Sequence, residues 1–439
     1  MNRPQVSVIG GGLAGCEAAY RLAGYGFEVI LCEMKPESRS PAHNTDGLAE
    51  LVCSNSLKAE RPGTAGGLLK AEMRLMGSLL LEIAEKCRVP AGGALAVDRD
   101  EFSRLATQTI EQHPKITLLR REVISLPPAP AIIATGPLTS PALSGDIHRR
   151  LGREQLSFYD AAAPIITAQS IDMGIVFPAA RYGRGGEDYL NCPMDKAEYE
   201  KFYSALISGE RALLKEFEAQ GLKVYEGCIP VEVLAGRGED TLRFGPLKPV
   251  GLTDPRTGRR PWAVVQLRQE NTAASMYNLV GFQTNLKFGE QKRIFSLIPG
   301  LESAEFVRYG VMHRNTFINS PRLLDETFAL KSDPLLFFAG QITGVEGYME
   351  SAASGIIAAE QLARRLSGKI PLALPAQTML GALSGWISNK AITDFQPMGA
   401  NMGLLPPLEE RVKDKQARYQ AMAERAISEL KTTLCKNSW

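Results

Sequence analysis

The chain has 439 residues, 44% apolar and 22% charged, with a formal net charge of +2. That is ordinary for a soluble globular protein and supplies material for about two domains. No apolar run approaches the roughly 18 residues of a membrane span, and so small a net charge requires any nucleic-acid partner to be met by a local patch.

The first element is a strand over residues 5–9. It runs straight into Gly10, Gly11, Gly12, Leu13, Ala14 and Gly15, which contain the spacing G-x-G-x-x-G. A helical pattern follows over 16–23. Strand, glycine turn and helix begin a dinucleotide-binding unit. Gly10 allows the sharp turn, Gly12 lets the backbone approach a pyrophosphate, and Gly15 lets the helix pack close to the strand. The helix N-terminus offers free N–H groups to the phosphates. A second apolar run, 27–32, ends in Glu33, where a carboxylate can accept hydrogen bonds from ribose hydroxyls. With a strand starting at about residue 5, no signal or transit peptide is expected.

Residues 34–65 are rich in Pro, Gly, Ser, Thr and Asn and read as a long loop, a kind that is often functional; it carries Cys53. Helical spacing runs over 66–87, then a helix over 98–112 and a strand over 116–126. The run 131–136, Ala-Ile-Ile-Ala-Thr-Gly, reads as a short buried strand closing on Thr135 and Gly136. After Pro137 the pattern changes. Residues 151–305 hold strand-like runs at 263–267 and 275–282 and a helix over 195–220. The first pattern returns from Leu335, with a strand ending at Gly340, a turn through Gly347 and Tyr348, and a helix to about Leu366. From Leu408 the chain reads as one charged amphipathic helix. The fold class is therefore α/β: a split Rossmann-like, glutathione-reductase-like FAD-binding domain, 1–150 and 306–439, around an inserted α+β domain, 151–305, that would bind substrate.

Between Thr241 and Arg322 there are twelve Lys/Arg and five Asp/Glu, a local excess of +7. This reads either as a solvated surface or as a phosphate-contacting face, in which Arg256, Arg259, Arg260, Lys292 and Arg293 would be the nucleic-acid-binding candidates. The seven cysteines are scattered, with no C-x-x-C pair. This argues for a reducing cytoplasm and against a zinc site or dithiol. Cys16, Cys32 and Cys87 fall in helix or strand patterns and read as small buried hydrophobes. Cys53 and Cys228 lie in loops. His313 neighbours the returning nucleotide domain.

Several long motifs carry a resemblance. They are Gly-Gly-Gly-Leu-Ala-Gly (10–15), Val-Cys-Ser-Asn-Ser (52–56), Leu-Leu-Lys-Ala-Glu-Met-Arg (68–74) and Val-Pro-Ala-Gly-Gly-Ala-Leu-Ala-Val-Asp-Arg (89–99). Others are Tyr-Leu-Asn-Cys-Pro-Met (189–194), Val-Val-Gln-Leu-Arg-Gln-Glu (264–270), Tyr-Gly-Val-Met-His-Arg-Asn-Thr (309–316) and Gly-Val-Glu-Gly-Tyr-Met-Glu-Ser-Ala (344–352). The chain resembles the folate- and flavin-dependent tRNA uracil-5-methyltransferases of the TrmFO type, relatives of the larger GidA proteins. The resemblance implies methylation at uracil C-5, typically of T-loop uridine 54. The carbon would come from 5,10-methylenetetrahydrofolate, and the electrons from NADH or NADPH through FAD. It implies Cys228 as the thiolate that adds to uracil C-6, and Cys53 as a second catalytic thiol beside the flavin. It places His313 near the pterin and Tyr348 near the flavin ring.

Two rival classes stay open at this level. A plain FAD-dependent oxidoreductase predicts a close dithiol and no basic face. A non-catalytic RNA-binding flavoprotein predicts dispensable cysteines. The same methylation on a ribosomal RNA uridine is a narrower variant.

Overall fold

The structure is a computed structural model that describes residues 3–40, 42–152, 155–183, 186–212 and 229–437. The side chains of 155–161, 313 and 314 are also outside the description. The first sheet has six strands in the order Ala329–Leu330, Asp333–Phe338, Ala131–Ile133, Val6–Ile9, Val29–Glu33, Ile116–Arg120. All but the first pair are parallel. The apolar sequences Val-Ser-Val-Ile, Ala-Ile-Ile and Leu-Leu-Phe-Phe suit strands covered on both faces. Strand Val6–Ile9 lies between strands from 29–33 and 131–133, so the glycine turn emerges at the middle of the sheet.

Helix Leu13–Gly24 follows that turn, and helix Tyr348–Leu366 packs along it. The approach is close because Gly355 has no side chain: a Cβ there would lie 2.2 Å from the Ala14 carbonyl oxygen. One hydrophobic core joins residues from both ends of the chain, including Val8, Leu22, Leu31, Phe102, Phe337 and Ile356.

The middle of the chain builds a second, antiparallel sheet, Phe177–Pro178, Tyr189–Met194, Ala263–Gln269, Met276–Leu279, Ile165–Thr167, Phe306–Arg308. It has its own core around Phe202, Val265, Phe282 and Phe295. The outgoing strand Gln155–Ala161 and the returning strand Met312–Ile318 pair as a two-stranded antiparallel ribbon.

Several boundaries differ from the sequence reading. The helix expected over 195–220 starts as expected, with a capping box between Asp195 and Glu198, but ends at Ile207. There the backbone changes partners: Ala212 N–H donates to Asn285 O (2.8 Å) and Lys287 N–H to Glu210 O (3.0 Å). The rest of that expected helix, from 213, lies outside the described residues. The 66–87 stretch is two helices, Ala65–Leu75 and Leu79–Lys86, broken at Gly77 (φ +75°) and restarted by the Ser78 cap. The strand expected over 116–126 stops at Arg120, and the C-terminal helix begins at Lys415, after the Asp414 cap. The 34–65 loop contains a strand, Ser56–Ala59, paired with Ala94–Val97.

Candidate active site

The glycine turn shows why each position is glycine. Gly10 has φ +103°, and a Cβ there would lie 2.5 Å from Ala134 O. A Cβ on Gly15 would lie 1.8 Å from Gly10 O, so the helix could not close on the strand. At Gly12 nothing lies within 4 Å of a Cβ. That open space sits at the N-cap of Leu13–Gly24, where unpaired N–H groups and the helix dipole favour an anion.

The space belongs to a cavity of about 420 Å³ lined by Gly10, Gly11, Gly12, Leu13, Ala14, Glu33, Gly136, Gly340, Gly347 and Tyr348. Of the expected cofactor contacts, Gly15 alone is not in the lining; it acts from below by packing. Glu33 is 6% exposed; its Oε2 accepts from Gly11 N–H (2.8 Å) and its Oε1 from Lys35 N–H (3.0 Å). These bonds fix the carboxylate at the edge of the cavity, and each oxygen keeps further acceptor capacity. A second helix N-terminus enters at Gly347, the cap of Tyr348–Leu366. Two helix ends at one cavity, with a carboxylate at the second-strand edge, fit an adenine dinucleotide.

Cys53 lines the same cavity. Its loop is irregular in backbone but heavily tied. Arg99 donates to the carbonyls of Leu51 (2.6 Å) and Val52 (3.1 Å) and pairs with Glu270 (2.9 Å). Arg268, 7% exposed, donates to Asn55 Oδ1 and Ser54 Oγ, both at 2.8 Å. Asn55 in turn donates to Val97 O and Gln269 O, both at 2.9 Å. The antiparallel sheet therefore clamps a loop of the parallel-sheet region. Below it, the buried Lys70 ammonium donates to Leu57 O (2.8 Å), Ala59 O (2.6 Å) and Gly66 O (3.1 Å). Burial lowers its pKa to about 8.

Tyr348 meets Cys53 directly. Its hydroxyl oxygen accepts from Cys53 N–H (2.7 Å) and Ser54 N–H (3.2 Å), and lies 3.0 Å from Cys53 Sγ. With two N–H donors on the oxygen, the phenol proton is directed to sulfur. Burial first, then the neighbouring Cys53, push the Tyr348 pKa well above that of a free phenol, so the proton stays on oxygen at neutral pH. Arg99, Arg268 and Arg308 all interact electrostatically with Cys53.

The other cysteines differ. Cys16, Cys32, Cys87 and Cys192 are buried. Burial raises the Cys16 and Cys192 thiols strongly and takes Cys87 to about 12. Cys228 lies outside the described residues, as does the side chain of His313, whose backbone pairs with Asp160 in the ribbon.

The basic stretch is not one surface. Arg268 is inside the site, and Arg243 lies over the Trp262 ring at 3.6 Å. Arg256 is exposed but paired with Asp254 (3.0 Å), and Arg293 with Glu290 (2.6 Å). Arg259, Arg260 and Lys292 are exposed, and among the described residues they form no ion pair. The sequence reading missed Arg99, Glu270 and Asn55 as site residues. Their signal was indirect, inside the motifs 52–56, 89–99 and 264–270.

Comparison with known proteins agrees with this architecture. The family model "Glucose inhibited division protein A" matches residues 5–370. A protein of Heliobacterium modesticaldum named methylenetetrahydrofolate–tRNA-(uracil-5-)-methyltransferase TrmFO is 58% identical over 433 residues, 98% of each chain. A protein of the same name from Halalkalibacterium halodurans is 54% identical over 99% of this chain and 100% of its own. Among solved structures, Aquifex aeolicus GidA in its form I crystal superposes with a TM-score of 0.70 at 17% identity, covering 98% of this chain and 76% of that one; this likeness bears on the fold. With family model, near-complete relatives and fold in agreement, the chain belongs to the TrmFO group of the glucose-inhibited division protein A family.

Proposed function

We propose that this protein methylates C-5 of a uridine in tRNA, T-loop uridine 54, with 5,10-methylenetetrahydrofolate as carbon donor and FAD reduced by NADH or NADPH. The observation that carries the reading is the pairing of Cys53 with Tyr348 at the cavity that holds the glycine turn, in a chain 58% identical to a relative bearing that name.

Gly10 to Ala14 would hold the pyrophosphate, Glu33 the adenosine ribose, and Gly136, Gly340 and the Gly347 helix end the remainder of FAD. When bound and reduced, FAD supplies the hydride and carries the one-carbon unit. The protein's own residues do the rest. A thiolate adding to uracil C-6 makes C-5 nucleophilic, and by family resemblance that thiolate is Cys228. Cys53, beside the Tyr348 hydroxyl, would serve as the second thiol, working on the methylene transfer or on the C-5 proton. His313 would stack on the pterin. Exposed Arg259, Arg260 and Lys292, with Arg256 and Arg293, would meet RNA phosphates.

The test is nucleoside analysis of tRNA incubated with the protein, 5,10-methylenetetrahydrofolate and NADPH. The expected product is 5-methyluridine, absent with Cys228→Ala although that variant still binds FAD and tRNA. Undiminished methylation by Cys228→Ala would move the nucleophile elsewhere. Cys192, buried in a strand, is a poor replacement.

A further inference from the structure

Asn315 is 1% exposed and lines the main cavity, yet among the described residues neither its Oδ1 nor its Nδ2 has a hydrogen-bond partner. Its position is fixed. It lies in strand Met312–Ile318, and the next residue, Thr316, donates its N–H to Pro137 O (2.8 Å) beside the Gly136 turn. A buried amide with both ends unmet is costly, because each group has lost water without gaining a partner. Such orphaned groups are rare in folded proteins and call for a reason. Asn55 and Asn191 make several bonds each, and Gln291 and Gln361 bond backbone groups; among the described residues buried Asn278 also has an unpartnered Nδ2, but it does not line the cavity. Asn315 stands apart by lining the cavity.

We infer that the Asn315 amide reads the lactam edge of a planar heterocycle, a ring carbonyl beside a ring N–H, through one accepted and one donated hydrogen bond. The chemistry is complementary in either orientation of the amide, since the donor and acceptor simply exchange. Flavin, pterin and uracil all present such an edge; naming these three rests on the proposed function. A ring engaged this way is held in register, which makes Asn315 a positioning and specificity residue. A ring lacking the N–H leaves a buried polar group unpaired and is rejected.

The experiment uses full-length protein carrying Asn315→Leu, close in shape and without polar atoms, and Asn315→Asp, which keeps an acceptor and loses the donor. Three arms separate the sources. For flavin, FAD affinity, the visible spectrum and the midpoint potential are measured. For pterin, tetrahydrofolate is titrated into flavin-loaded protein. For uracil, binding of tRNA with uridine or cytidine at the target position is compared. One arm should weaken by about tenfold or more in Asn315→Leu, or lose its uridine preference. The thermal midpoint of the flavin-stripped full chain should be unchanged or higher, because an unpaired amide has been removed. A structural asparagine would behave oppositely, with a lowered midpoint and unchanged ligand arms, and that result overturns the inference. Wild type that binds none of the three ligands would sink the proposed function; wild type that binds them, with variants that match it in every arm, would sink this inference alone.

Discussion

The two sheets build the site in different ways. The parallel sheet contributes backbone: glycine turns, helix ends and one carboxylate, gathered at strand ends near the centre of the sheet. The antiparallel region contributes side chains that hold the Cys53 loop at the edge of the cavity: Arg268 on Ser54 and Asn55, and Glu270 on Arg99. A backbone site is specified by residues close in sequence. A side-chain site is specified by residues brought together by folding, such as Arg268 on Asn55 across 213 positions. The clamp on the Cys53 loop exists only when both regions have formed.

The sharpest way to break this contrast is at the glycines. Gly15→Val should abolish soluble folded protein, costing on the order of 3 kcal/mol or more, since the Cβ would overlap Gly10 O. Gly12→Val should fold but emerge colourless, because its side chain enters open space that a pyrophosphate needs. Circular dichroism with flavin absorbance separates the two. If Gly12→Val retains stoichiometric FAD, the anion site is wrongly placed.

On the side-chain region, Arg259→Glu with Arg260→Glu should weaken tRNA binding and leave flavin content intact. The log–log salt slope should shrink by roughly 0.7 to 0.9 for each phosphate that no longer meets a cation. Arg256→Ala should do less, since Asp254 already offsets its charge. Equal effects from both variants would remove the distinction between free and paired arginines.

The smallest expected effect is on pH dependence, and it belongs to the parallel-sheet region. Buried Glu17 accepts from Leu79 and Leu80 N–H, both at 3.0 Å, and buried Glu72 from Met379 (2.8 Å) and Leu380 (2.9 Å). Each caps a neighbouring helix, and burial raises each to about 7 from 4.5. The folded chain therefore binds more protons than the unfolded chain between these values. Stability from this source is full below about pH 4.5 and is lost as pH rises through 7, by ~1–3 kcal/mol per group. Melting curves at pH 5 and pH 8 should show this decline, and Glu72→Gln should flatten it. A steeper decline in the variant would contradict the assignment.

The same contrast explains what could be read from sequence. G-x-G-x-x-G and the acid closing the second strand were legible because their roles depend on local spacing. The ends of elements were less so. Nothing near Ile207 in sequence announces that the next backbone groups will pair with residues 285–287. The charge count over 241–322 detected an excess but could not tell Arg268, turned inward onto Asn55, from Arg259 at the surface. The 34–65 stretch looked loose by composition, yet it is held by Arg99, Arg268 and Lys70, whose carbonyl and amide partners carry no sequence signature.

The central claim is that the two regions meet at Cys53 to move a carbon onto RNA. Its most direct measurement is transfer of isotopically labelled methylene from 5,10-methylenetetrahydrofolate to tRNA, comparing wild type with Cys53→Ala at equal flavin content. Wild type should label uracil C-5, and Cys53→Ala should fall by roughly a hundredfold or more while still oxidising NADPH through the flavin. Labelling by Cys53→Ala at the wild-type rate would contradict the account.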